Sequence, residues 1–580
     1  MKAKLNIRTA DASAVHRIRT ALKCTPLTAS ILVNRGIDNV YQAKKFLHAS
    51  LADIAPPSTI MDMDIAVSRI TDALANREKI LIFGDYDADG ITATALMLGF
   101  LGSLDADVDG YIPHRIMEGY GLKPAHITEY AKKKGISLII TVDCGASSHE
   151  AAEACRTAGI DLIITDHHQM TDKPPYAIAV INPARHDCPS GLTGLAGVGV
   201  AFYLIIALRA HLRDKGFWKD RPEPNLKQYC DLVTIGTIAD IVPLTGENRI
   251  FAKTGLAMIN DVCAPGIQAL IKAAKLSRSP LTAEDVAFAI APRLNAPGRI
   301  DHARTALELF TTPPGNDAAQ TARRLDKLNA RRRLIEEDIS DEIQRLMQTD
   351  SSLREQKKAL VLAHHKWHQG VIGIAAAKAA RRYRLPVALM TVKKDISVGS
   401  ARSIPGINLY AAMCECADLF EEFGGHAQAA GFKIRTENID RFEKQFDYII
   451  GRKLQPDARA PIMDIDAEIT FSDISDQLLN ELDMLQPFGE AHPEPLFIAR
   501  NIKVVSSFLI NNRHLKMMLA QPVSGNETPI ESIHFNIDPA TIPVPRRLKS
   551  IVFRLRRNTW NNKNCPQLII EAAFPTEQDR

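Results

Sequence analysis

The sequence predicts a multi-domain α/β protein, in which a parallel-sheet domain is followed by a connecting helix, a second α/β domain and a small β-rich domain. Three observations lead to this prediction. Short apolar runs alternate with helical segments in the first half of the chain, a long polar helical pattern covers residues 316–350, and short alternating runs with many turn residues begin near residue 461. The length of 580 residues favours two to four domains, because single cores rarely grow beyond about 250–300 residues.

The composition is that of a globular protein, with 46% apolar and 24% charged residues, which excludes a largely disordered or fibrous chain. The net charge of +4 means that a nucleic-acid partner would be held by local basic patches. No apolar run reaches the ~18 residues that cross a bilayer, and the first residues lack the apolar segment of a signal peptide. Nine cysteines without CxxC spacing argue against a disulfide framework and a thiolate zinc site. We therefore expect a cytoplasmic protein.

The elements are predicted in chain order from their apolar patterns. Residues 1–50 mix Ala, Arg and Leu at helical spacing and predict a small helical lead-in. The apolar runs 79–83, 136–142 and 161–165 predict three buried parallel strands in a domain over residues 51–315. Each run is followed by polar residues, at the edge where open α/β sheets build their sites.

The pattern of apolar and polar residues changes twice in the second half of the chain. The pattern over residues 316–350 is too polar for a core helix, so we expect it to bridge two domains. A second α/β pattern, over residues 351–455, begins with the apolar run 359–363. Residues 456–580 are expected to form a small β-barrel or sandwich, because their apolar runs are short and bounded by turn residues.

Acidic and histidine residues follow several predicted strands, in the motifs GDYDADG, TVDCG, TDHH and GTIAD. Carboxylates with one or two imidazoles suit Mn²⁺ or Mg²⁺ better than zinc. Crowded carboxylates repel one another unless cations neutralise them. We therefore predict a two-metal centre that activates water for attack on phosphorus. Its candidate residues are Asp85, Asp87, Asp89, Asp143, Asp166, His167, His168 and Asp240.

A calcium loop or a solvated turn is the alternative interpretation of the DxDxDG pattern. An EF-hand places a glutamate at the twelfth loop position, where Leu96 stands in this sequence. The pattern also follows a predicted buried strand, and two further strand ends carry Asp or His. These features favour the metal centre.

Several weaker motifs offer groups to a nucleic-acid substrate, and each also has an ordinary structural interpretation. PHRIMEGYGL carries Arg115 and Tyr120, which could hold a phosphate and stack on a base, or could lie in a surface loop. APRLNAPGR is rich in turn residues, and GSARSI and GGHAQAAGF have the pattern of backbone cradles for an anion. The candidate residues of these three motifs are Arg293, Asn295, Arg299, Ser400, Arg402 and His426.

The C-terminal region has a distinct charge pattern. No acidic residue stands between Asp538 and Glu571, and basic residues alternate with aromatic ones in this interval. In a small β domain the pattern favours a groove for single-stranded nucleic acid, and an ordinary solvated basic face is the alternative. The candidate contacts are Arg554, Arg556 and Trp560.

Taken together, these motifs resemble the DHH phosphoesterase superfamily. They occur in the family order over nearly the whole chain, with WHQGVIGIAAAK and PFGEAHPEPLF among them. The resemblance implies a DHH domain, a connecting helix, a DHHA1 domain and a C-terminal OB-fold, with a positively charged channel between them. It further implies a single-stranded-DNA exonuclease of DNA repair and recombination, which hydrolyses its substrate from 5′ to 3′ and releases 5′-mononucleotides.

The resemblance also implies residue roles. Asp166 would orient the two histidines that follow it. Asp89 is predicted to be a catalytic residue. His168 and His426 would contact the scissile phosphate. Phe83 stands where some members have a histidine ligand, which places the occupancy of the second metal in question. The implied metal ligands are Asp85, Asp87, Asp143, His167 and Asp240, and the implied contacts of the 5′-terminal phosphate are Arg115, Ser400 and Arg402.

Two other functions compete with the exonuclease. A phosphoesterase for short oligonucleotides or cyclic dinucleotides needs no C-terminal nucleic-acid platform. A non-catalytic replication scaffold would have no need for the full Asp/His set. The resemblance implies a monomer with single-stranded DNA as substrate and no membrane partner, and it raises single-strand-binding protein and a helicase as protein partners.

Overall fold

The computed structural model describes residues 4–170, 173–277, 280–312, 315–350, 353, 356–454, 462–511, 513–522, 528–537, 546–558 and 564–576. The strands of these residues form four sheets. The smallest pairs β1 (Lys4–Ile7) in parallel with a strand that begins at Ile462. Within the described residues, no helix has both the length and the apolar character needed to span a bilayer.

The first large sheet is entirely parallel and fully covered. Its order is β3–β2–β4–β5–β6, and three of its strands occupy the predicted runs. Helices cover both faces, which is why these strands are continuous apolar runs. The two flanking strands were not predicted from the sequence because they are short. The five strands are β2 (Ile80–Gly84), β3 (Val108–Tyr111), β4 (Leu138–Val142), β5 (Asp161–Thr165) and β6 (Ala179–Ile181).

The helices of this first domain surround the sheet and extend beyond it as an all-helical layer. They are Leu51–Asp53, Pro57–Thr59, Met63–Ala75, Ala88–Gly102, His126–Ala131, Lys132–Lys134, His149–Ala158, Gly197–Asp214, Leu226–Tyr229, Cys230–Ala239, Gly246–Asn260, Pro265–Ala273, Ala283–Asp285, Val286–Ile290, Ala291–Asn295, Pro297–Ile300 and Arg304–Thr311.

A single long helix, Asn316–Thr349, connects the two α/β domains. Ala322 and Leu325 in its first half belong to the core of the first domain. Ile339 and Ile343 in its second half belong to the core of the next domain. The prediction of a bridging helix is therefore confirmed, and its polar composition follows from the narrow apolar stripe that each half needs.

The second α/β domain has a mixed sheet of order β10–β11–β9–β8–β7, in which only β7 and β8 run parallel. Helices pack against it and complete its core. The strands are β7 (Leu360–His364), β8 (Val387–Thr391), β9 (Ile396–Arg402), β10 (Phe420–Gly425) and β11 (Ala429–Arg435), and the helices are Ile372–Tyr383, Leu409–Cys414, Ala417–Leu419, Thr436–Asn438 and Ile439–Lys453.

The C-terminal domain is a barrel, which decides between the two predicted alternatives. Its sheet order is β13–β14–β15–β16–β18–β17, and pairing of β14 with β17 closes it. The strands are β12 (Ile462–Ile465), β13 (Ala467–Glu468), β14 (Phe497–Ile510), β15 (His514–Ala520), β16 (Ile530–His534), β17 (Arg547–Asn558) and β18 (Cys565–Pro575), with helices Phe471–Asp473 and Asp476–Leu485.

The N-terminal segment shares the core of this barrel. Its helices are Ala12–Leu22, Pro26–Asn34 and Val40–His48. Ile18 and Leu32 pack in the same cluster as Leu478 and Phe497. The two ends of the chain therefore form one structural unit, which also explains why β1 pairs with β12.

Candidate metal centre and nucleic-acid interface

The GDYDADG motif forms the turn between β2 and the helix Ala88–Gly102. Asp87 is the N-cap of this helix, and its Oδ1 accepts hydrogen bonds from the backbone N–H groups of Asp89 at 3.0 Å and Gly90 at 3.1 Å. A side chain at residue 90 would overlap the backbone of Asp85, so the glycine allows the tight turn. The turn thereby places Asp85 and Asp87 at the carboxyl edge of the sheet.

Asp143 follows β4 at the same edge, with a left-handed backbone (φ 60°). Asparagine and aspartate tolerate this conformation better than most residues. Gly197 packs directly against the Asp143 carboxylate, since a Cβ at this glycine would overlap it. Gly197 of the glycine-rich segment 194–202 therefore allows close packing against the centre.

Asp89 differs in its surroundings from the other aspartates. Its two carboxylate oxygens accept the backbone N–H groups of Gly197 at 2.6 Å and Val198 at 3.0 Å. These donors open the helix Gly197–Asp214, where the helix dipole favours a negative charge. Asp89 thus joins this helix to the metal-centre loop, a positioning role in addition to the catalytic role predicted for it.

His167 faces three carboxylates through Nε2. Asp143 Oδ1 lies 3.1 Å away, Asp240 Oδ2 3.6 Å and Asp89 Oδ2 4.0 Å. Burial, together with the neighbouring His168, lowers the pKa of His167 to about 4, so the imidazole is neutral near pH 7. Its Nε2 has no hydrogen-bond partner among the described residues. A neutral imidazole lone pair that faces carboxylate oxygens fits a shared cation between them.

The carboxylates of the centre have raised pKa values. Burial and the charge of Asp87 raise the pKa of Asp89 to about 7. Burial and the charge of Asp89 raise the pKa of Asp240 to about 8. The pKa values of Asp85 and Asp143 are also raised, first by burial and then by their carboxylate neighbours. Crowded, buried carboxylates of this kind are stabilised as anions by bound cations.

The ligand atoms fall into three overlapping groups, each within 4.8 Å. They are Asp89, His167 and Asp240; Asp143, His167 and His168; and Asp85, Asp87 and Asp143. Asp143 is shared by two groups and could bridge two ions. The oxygen-rich donor set fits Mn²⁺ or Mg²⁺. Phe83 supplies no ligand, because it is fully buried and stacks on Tyr111 with ring centroids 5.4 Å apart.

Asp166 and His168 form a hydrogen-bonded pair beside these groups, with Asp166 Oδ1 2.7 Å from His168 Nδ1. Burial opposes a charge on His168, but the bond to Asp166 outweighs it and raises the pKa of His168 to about 9. The Tyr120 hydroxyl lies 3.2 Å from the same Nδ1. His168 is therefore a fixed cation near neutral pH, suited to a phosphate oxygen.

Three arginines lie close together near the centre: Arg115, Arg299 and Arg402. The Arg115 guanidinium lies 4.7 Å from the centroid of the Tyr86 ring. Burial and then Arg115 lower the pKa of Arg299 to about 9, and the same two causes lower the pKa of Arg402. In the part of the chain that the structure describes, none of the three makes an ion pair with a carboxylate. Such a cluster is a site for an anion.

Ser400 belongs to this arginine cluster. Its hydroxyl accepts a hydrogen bond from Arg402 Nη1 at 2.9 Å. Both side chains lie against Gly373 at the start of the helix Ile372–Tyr383, since a Cβ at this glycine would be 3.0 Å from Arg402 Nη2 and from Ser400 Oγ. The positive end of the helix dipole adds to the favourable field for an anion.

Other predicted substrate contacts have different surroundings. Arg293 pairs with Asp326 at 2.8 Å, and Asn295 Oδ1 accepts the backbone N–H of Ala88 at 2.8 Å. Both side chains are therefore occupied within the protein. His426 is exposed in the turn between β10 and β11, and across the described residues its imidazole makes no hydrogen bond or ion pair. The structure thus joins Arg115, Tyr120 and Arg299 to the site, pairs Arg293 with Asp326, and leaves the exposed His426 imidazole without a hydrogen bond among the described residues.

Arg554 and Arg556 of the basic C-terminal stretch are paired within the protein. Arg556 forms a bidentate pair with Glu494 at 2.7 and 2.6 Å, and Arg554 lies 3.2 Å from Glu571. Two arginines of the acid-free interval are thus paired with carboxylates from outside it. Phe553 is fully buried in the barrel core, so it offers no stacking surface. Trp560 lies outside the described residues.

An exposed aromatic face on β14–β16 was not predicted. Phe508 is 55% exposed and stands opposite Lys516, whose Nζ is 5.9 Å from its ring centroid. Phe535, next to β16, is 47% exposed and lies 5.2 Å from the His514 ring. Period-two alternation in SSFLINNRHLK could have indicated this face, since Phe508 and Ile510 share one side of β14.

Comparison with known proteins gives matches along most of the chain. Residues 79–237 match the DHH family N-terminal domain, residues 356–452 the DHHA1 domain and residues 465–572 the RecJ OB domain. The single-stranded-DNA-specific exonuclease RecJ of Bacillus subtilis is 35% identical over 99% of this chain and 71% of its own length. The protein of the same name from Salmonella typhimurium is 35% identical over 99% of this chain and 100% of its own length.

Structures of RecJ are also among the solved structures that match this chain. The crystal structure of RecJ from Thermus thermophilus in complex with Mn²⁺ superposes with a TM-score of 0.83 at 28% identity, over 99% of this chain and 80% of that one. The Mg²⁺ complex of the same protein superposes with a TM-score of 0.77 at 27% identity, over 99% and 79%. The fold is therefore shared with RecJ structures that hold Mn²⁺ or Mg²⁺.

Proposed function

Because this chain belongs to the RecJ family of single-stranded-DNA-specific exonucleases, we propose that it degrades single-stranded DNA from the 5′ end and releases 5′-mononucleotides. It is an exonuclease and a hydrolase of the DHH phosphoesterase type. The observation that carries the proposed polarity is the cluster of Arg115, Arg299 and Arg402 beside the metal centre. A terminal phosphate has more charge than an internal one, and this cluster is built for concentrated negative charge.

The arginine cluster and the centre are close enough to share one nucleotide. Arg115 stacks on Tyr86, the residue between Asp85 and Asp87 in sequence. The charge of Arg115 also lowers the otherwise raised pKa of Asp85. A 5′-phosphate held by the arginines would leave the next phosphate near the carboxylates, and hydrolysis there releases one 5′-mononucleotide.

The residues of the centre support metal-dependent hydrolysis. Bound Mn²⁺ or Mg²⁺ would stabilise charge on the phosphate oxygens and lower the pKa of a bound water. Asp85, Asp87, Asp143, His167 and Asp240 would hold the ions. The imidazolium of His168 donates a hydrogen bond through Nε2 to an oxygen of the scissile phosphate, and Asp166 fixes its orientation.

The rest of the strand is proposed to reach the barrel. In OB-folds, the outer face of the second and third strands binds oligonucleotides, and here these strands are β15 and β16. Phe508 and Phe535 offer exposed rings for stacking on this face, with Lys516 beside one of them. A substrate of one or two nucleotides could not span this surface and the metal centre, which disfavours a small-molecule phosphoesterase.

The test compares single strands labelled at the 5′ or 3′ end, with Mn²⁺, Mg²⁺ or EDTA. We expect early release of the 5′-terminal mononucleotide in Mn²⁺ or Mg²⁺ and none in EDTA. Early release of the 3′ label would contradict the polarity. Arg402→Ala should lower the rate on 5′-phosphorylated strands about tenfold or more and change the rate on 5′-hydroxyl strands little. Arg381→Ala, on the exposed surface of the neighbouring helix, is the matched control.

The monomeric state and the two proposed protein partners, single-strand-binding protein and a helicase, stay predictions. Sedimentation of the purified chain would test the first. A pull-down with each purified partner, in the presence and absence of DNA, would test the others.

A further inference from the structure

Ile241 directly follows the candidate ligand Asp240 and has an unusual backbone. Its φ is +60°, in the left-handed region, and its side chain is 70% exposed. Among the described non-glycine residues with positive φ, it is the one β-branched residue; the others are Lys, Arg, Asp, Asn or Ala. Branching at Cβ makes this conformation least favourable for residues such as isoleucine.

The fold alone gives no reason for isoleucine at this position. Residue 241 is the position after the C-cap of the helix Cys230–Ala239, and its N–H donates to the Ile238 carbonyl at 3.3 Å. Glycine or asparagine is the usual residue here because either adopts the left-handed conformation at low cost. Core packing does not account for the side chain either, since most of it is in solvent. Strained residues of this kind occur where a functional contact requires them.

The position of Ile241 indicates what it contacts. On one side, the Asp240 carboxylate lies 3.6 Å from His167 Nε2 in the metal centre. On the other, the backbone N–H of Leu244 donates to the Glu490 carbonyl in the C-terminal domain at 2.9 Å. Gly489 of the same loop packs on the Leu244 side chain. Ile241 therefore lies on the route from the metal centre to the barrel.

The arginine cluster includes residues of the second α/β domain. Arg402 and Ser400 belong to the second α/β domain, and Gly370 of that domain packs against the Arg299 carbonyl. A strand with its 5′-phosphate in this cluster would leave the centre past residues 240–244 on its way to the barrel. On this path Ile241 would face the nucleotide on the 3′ side of the scissile phosphate.

We propose that the Ile241 side chain packs against the base of the second nucleotide, the one that becomes the new 5′ end after cleavage. This inference rests on the proposed function and names a contact within it. An alkyl side chain makes no hydrogen bond, so it suits the face of any base and carries no sequence preference. Apolar side chains wedge against bases in this way in other nucleic-acid complexes. The contact would hold the second nucleotide in place while the first is released.

The experiment measures binding of 5′-phosphorylated single strands by fluorescence anisotropy, in an Asp143→Asn background that prevents digestion. Ile241→Gly should raise the Kd about tenfold, the size of a lost base contact. A single abasic site at the second nucleotide should remove this difference, so that both proteins bind that strand equally. Abasic sites at the first or fourth nucleotide should leave the tenfold difference in place. Because glycine relieves the backbone strain, the thermal midpoint of Ile241→Gly should equal or exceed that of its parent.

Lys275→Gly is the matched control. Lys275 also has a positive φ, +54°, and it follows the helix Pro265–Ala273. Its side chain is exposed, and it is distant in sequence from the metal-centre motifs. It should raise or maintain the thermal midpoint without changing the Kd on any strand. A loss in binding by Ile241→Gly that is the same on every abasic strand, or no loss at all, would overturn the contact. So would a lowered midpoint, which would assign Ile241 to packing. If the protein with native Asp143 digests DNA while these differences are missing, only this inference fails; if it releases no nucleotide, the proposed function fails as well.

Discussion

Asn295 and Ala88 join two distant motifs, because Asn295 Oδ1 accepts the Ala88 backbone N–H at 2.8 Å. Ala88 is the first residue of the helix that follows Asp85 and Asp87. The N–H groups at the start of a helix have no partner within it. Asn295 thus satisfies one of these donors and holds the metal-centre turn in place.

Asn295→Ala should therefore weaken metal use and leave DNA binding unchanged. We expect the Mn²⁺ concentration for half-maximal activity to rise about tenfold, as for other residues that orient metal ligands. The KM for single-stranded DNA should stay within twofold. Asn295→Asp keeps the acceptor oxygen and should recover part of the loss. A raised KM with unchanged metal dependence would instead support the substrate contact predicted from the sequence.

The predicted metal cluster comes together because its residues follow strands of one parallel sheet. The carboxyl ends of such strands meet at one edge, so GDYDADG, TVDCG and TDHH converge once the strands are placed correctly. Asp240 follows the helix Cys230–Ala239, so the prediction that a strand precedes it is wrong. Its motif nevertheless indicated a place in the cluster, and the family resemblance implied its role as a metal ligand.

The predicted roles of several arginines depended on partners far away in sequence. Arg293 pairs with Asp326, and Arg556 pairs with Glu494 and Glu284. A local excess of positive charge does not reveal such carboxylates, because they come from other elements. The shared core of the N-terminal helices and the barrel is hidden for the same reason, since it joins the two ends of the chain.

Asp143→Asn should abolish hydrolysis and stabilise the metal-free protein. The amide loses the charge shared by two groups of candidate ligands but retains a side chain that tolerates the left-handed backbone. Removing one of several buried, repelling carboxylates should add about 1–2 kcal/mol to the free energy of unfolding in EDTA. Urea denaturation and nucleotide release measure the two effects. Asp143→Ala should be equally inactive but less stable than Asp143→Asn, and activity in either variant would refute the shared-ligand role.

Arg249→Met should destabilise the junction between the first domain and the unit formed by the two chain ends. Arg249 is 3% exposed and donates to the carbonyls of Phe46, Gln486 and Pro487 at 3.0–3.1 Å. Methionine fills similar space but leaves these buried carbonyls unpaired, at a cost of about 3 kcal/mol. Thermal unfolding and limited proteolysis at the junction would detect the loss. Arg213→Met, at an exposed pair with Glu223, should cost less than about 1 kcal/mol.

His492 should make this junction sensitive to acid. The imidazole is buried, and burial together with Arg35 and Arg249 lowers its pKa to about 3. Its Nε2 lies 2.8 Å from the Leu485 carbonyl and its Nδ1 2.6 Å from Arg35 Nη1, so the neutral form fits both partners. The unfolded chain binds a proton below about pH 6.5, whereas the folded chain does so only near pH 3. Stability is therefore lost as the pH falls through this window.

The measurement is the free energy of unfolding between pH 7 and pH 4, compared with His492→Asn. Asparagine does not titrate and can still accept a hydrogen bond from Arg35. The contribution of His492 should amount to roughly 1.4 kcal/mol for each pH unit below about 6.5. The variant should show a shallower decline by that amount. Parallel curves for the two proteins would show that another group causes the acid sensitivity.

Arg556 should stabilise the position of the barrel and contribute nothing to the salt dependence of DNA binding. Its guanidinium forms the bidentate pair with Glu494 and also lies 2.8 Å from Glu284 of the first domain. Arg556→Gln leaves the partly buried Glu494 without this partner, which should cost about 1–3 kcal/mol of stability. A phosphate would have to displace two carboxylates to reach Arg556, so the slope of log Kd against log salt should not change. Binding in the Asp143→Asn background across a salt series measures this slope. Phe508→Ala should weaken binding at every salt concentration without changing the slope, because a stacking contact releases no counterion. A slope that becomes shallower by about 0.7 in Arg556→Gln would instead show that Arg556 contacts a phosphate in the complex.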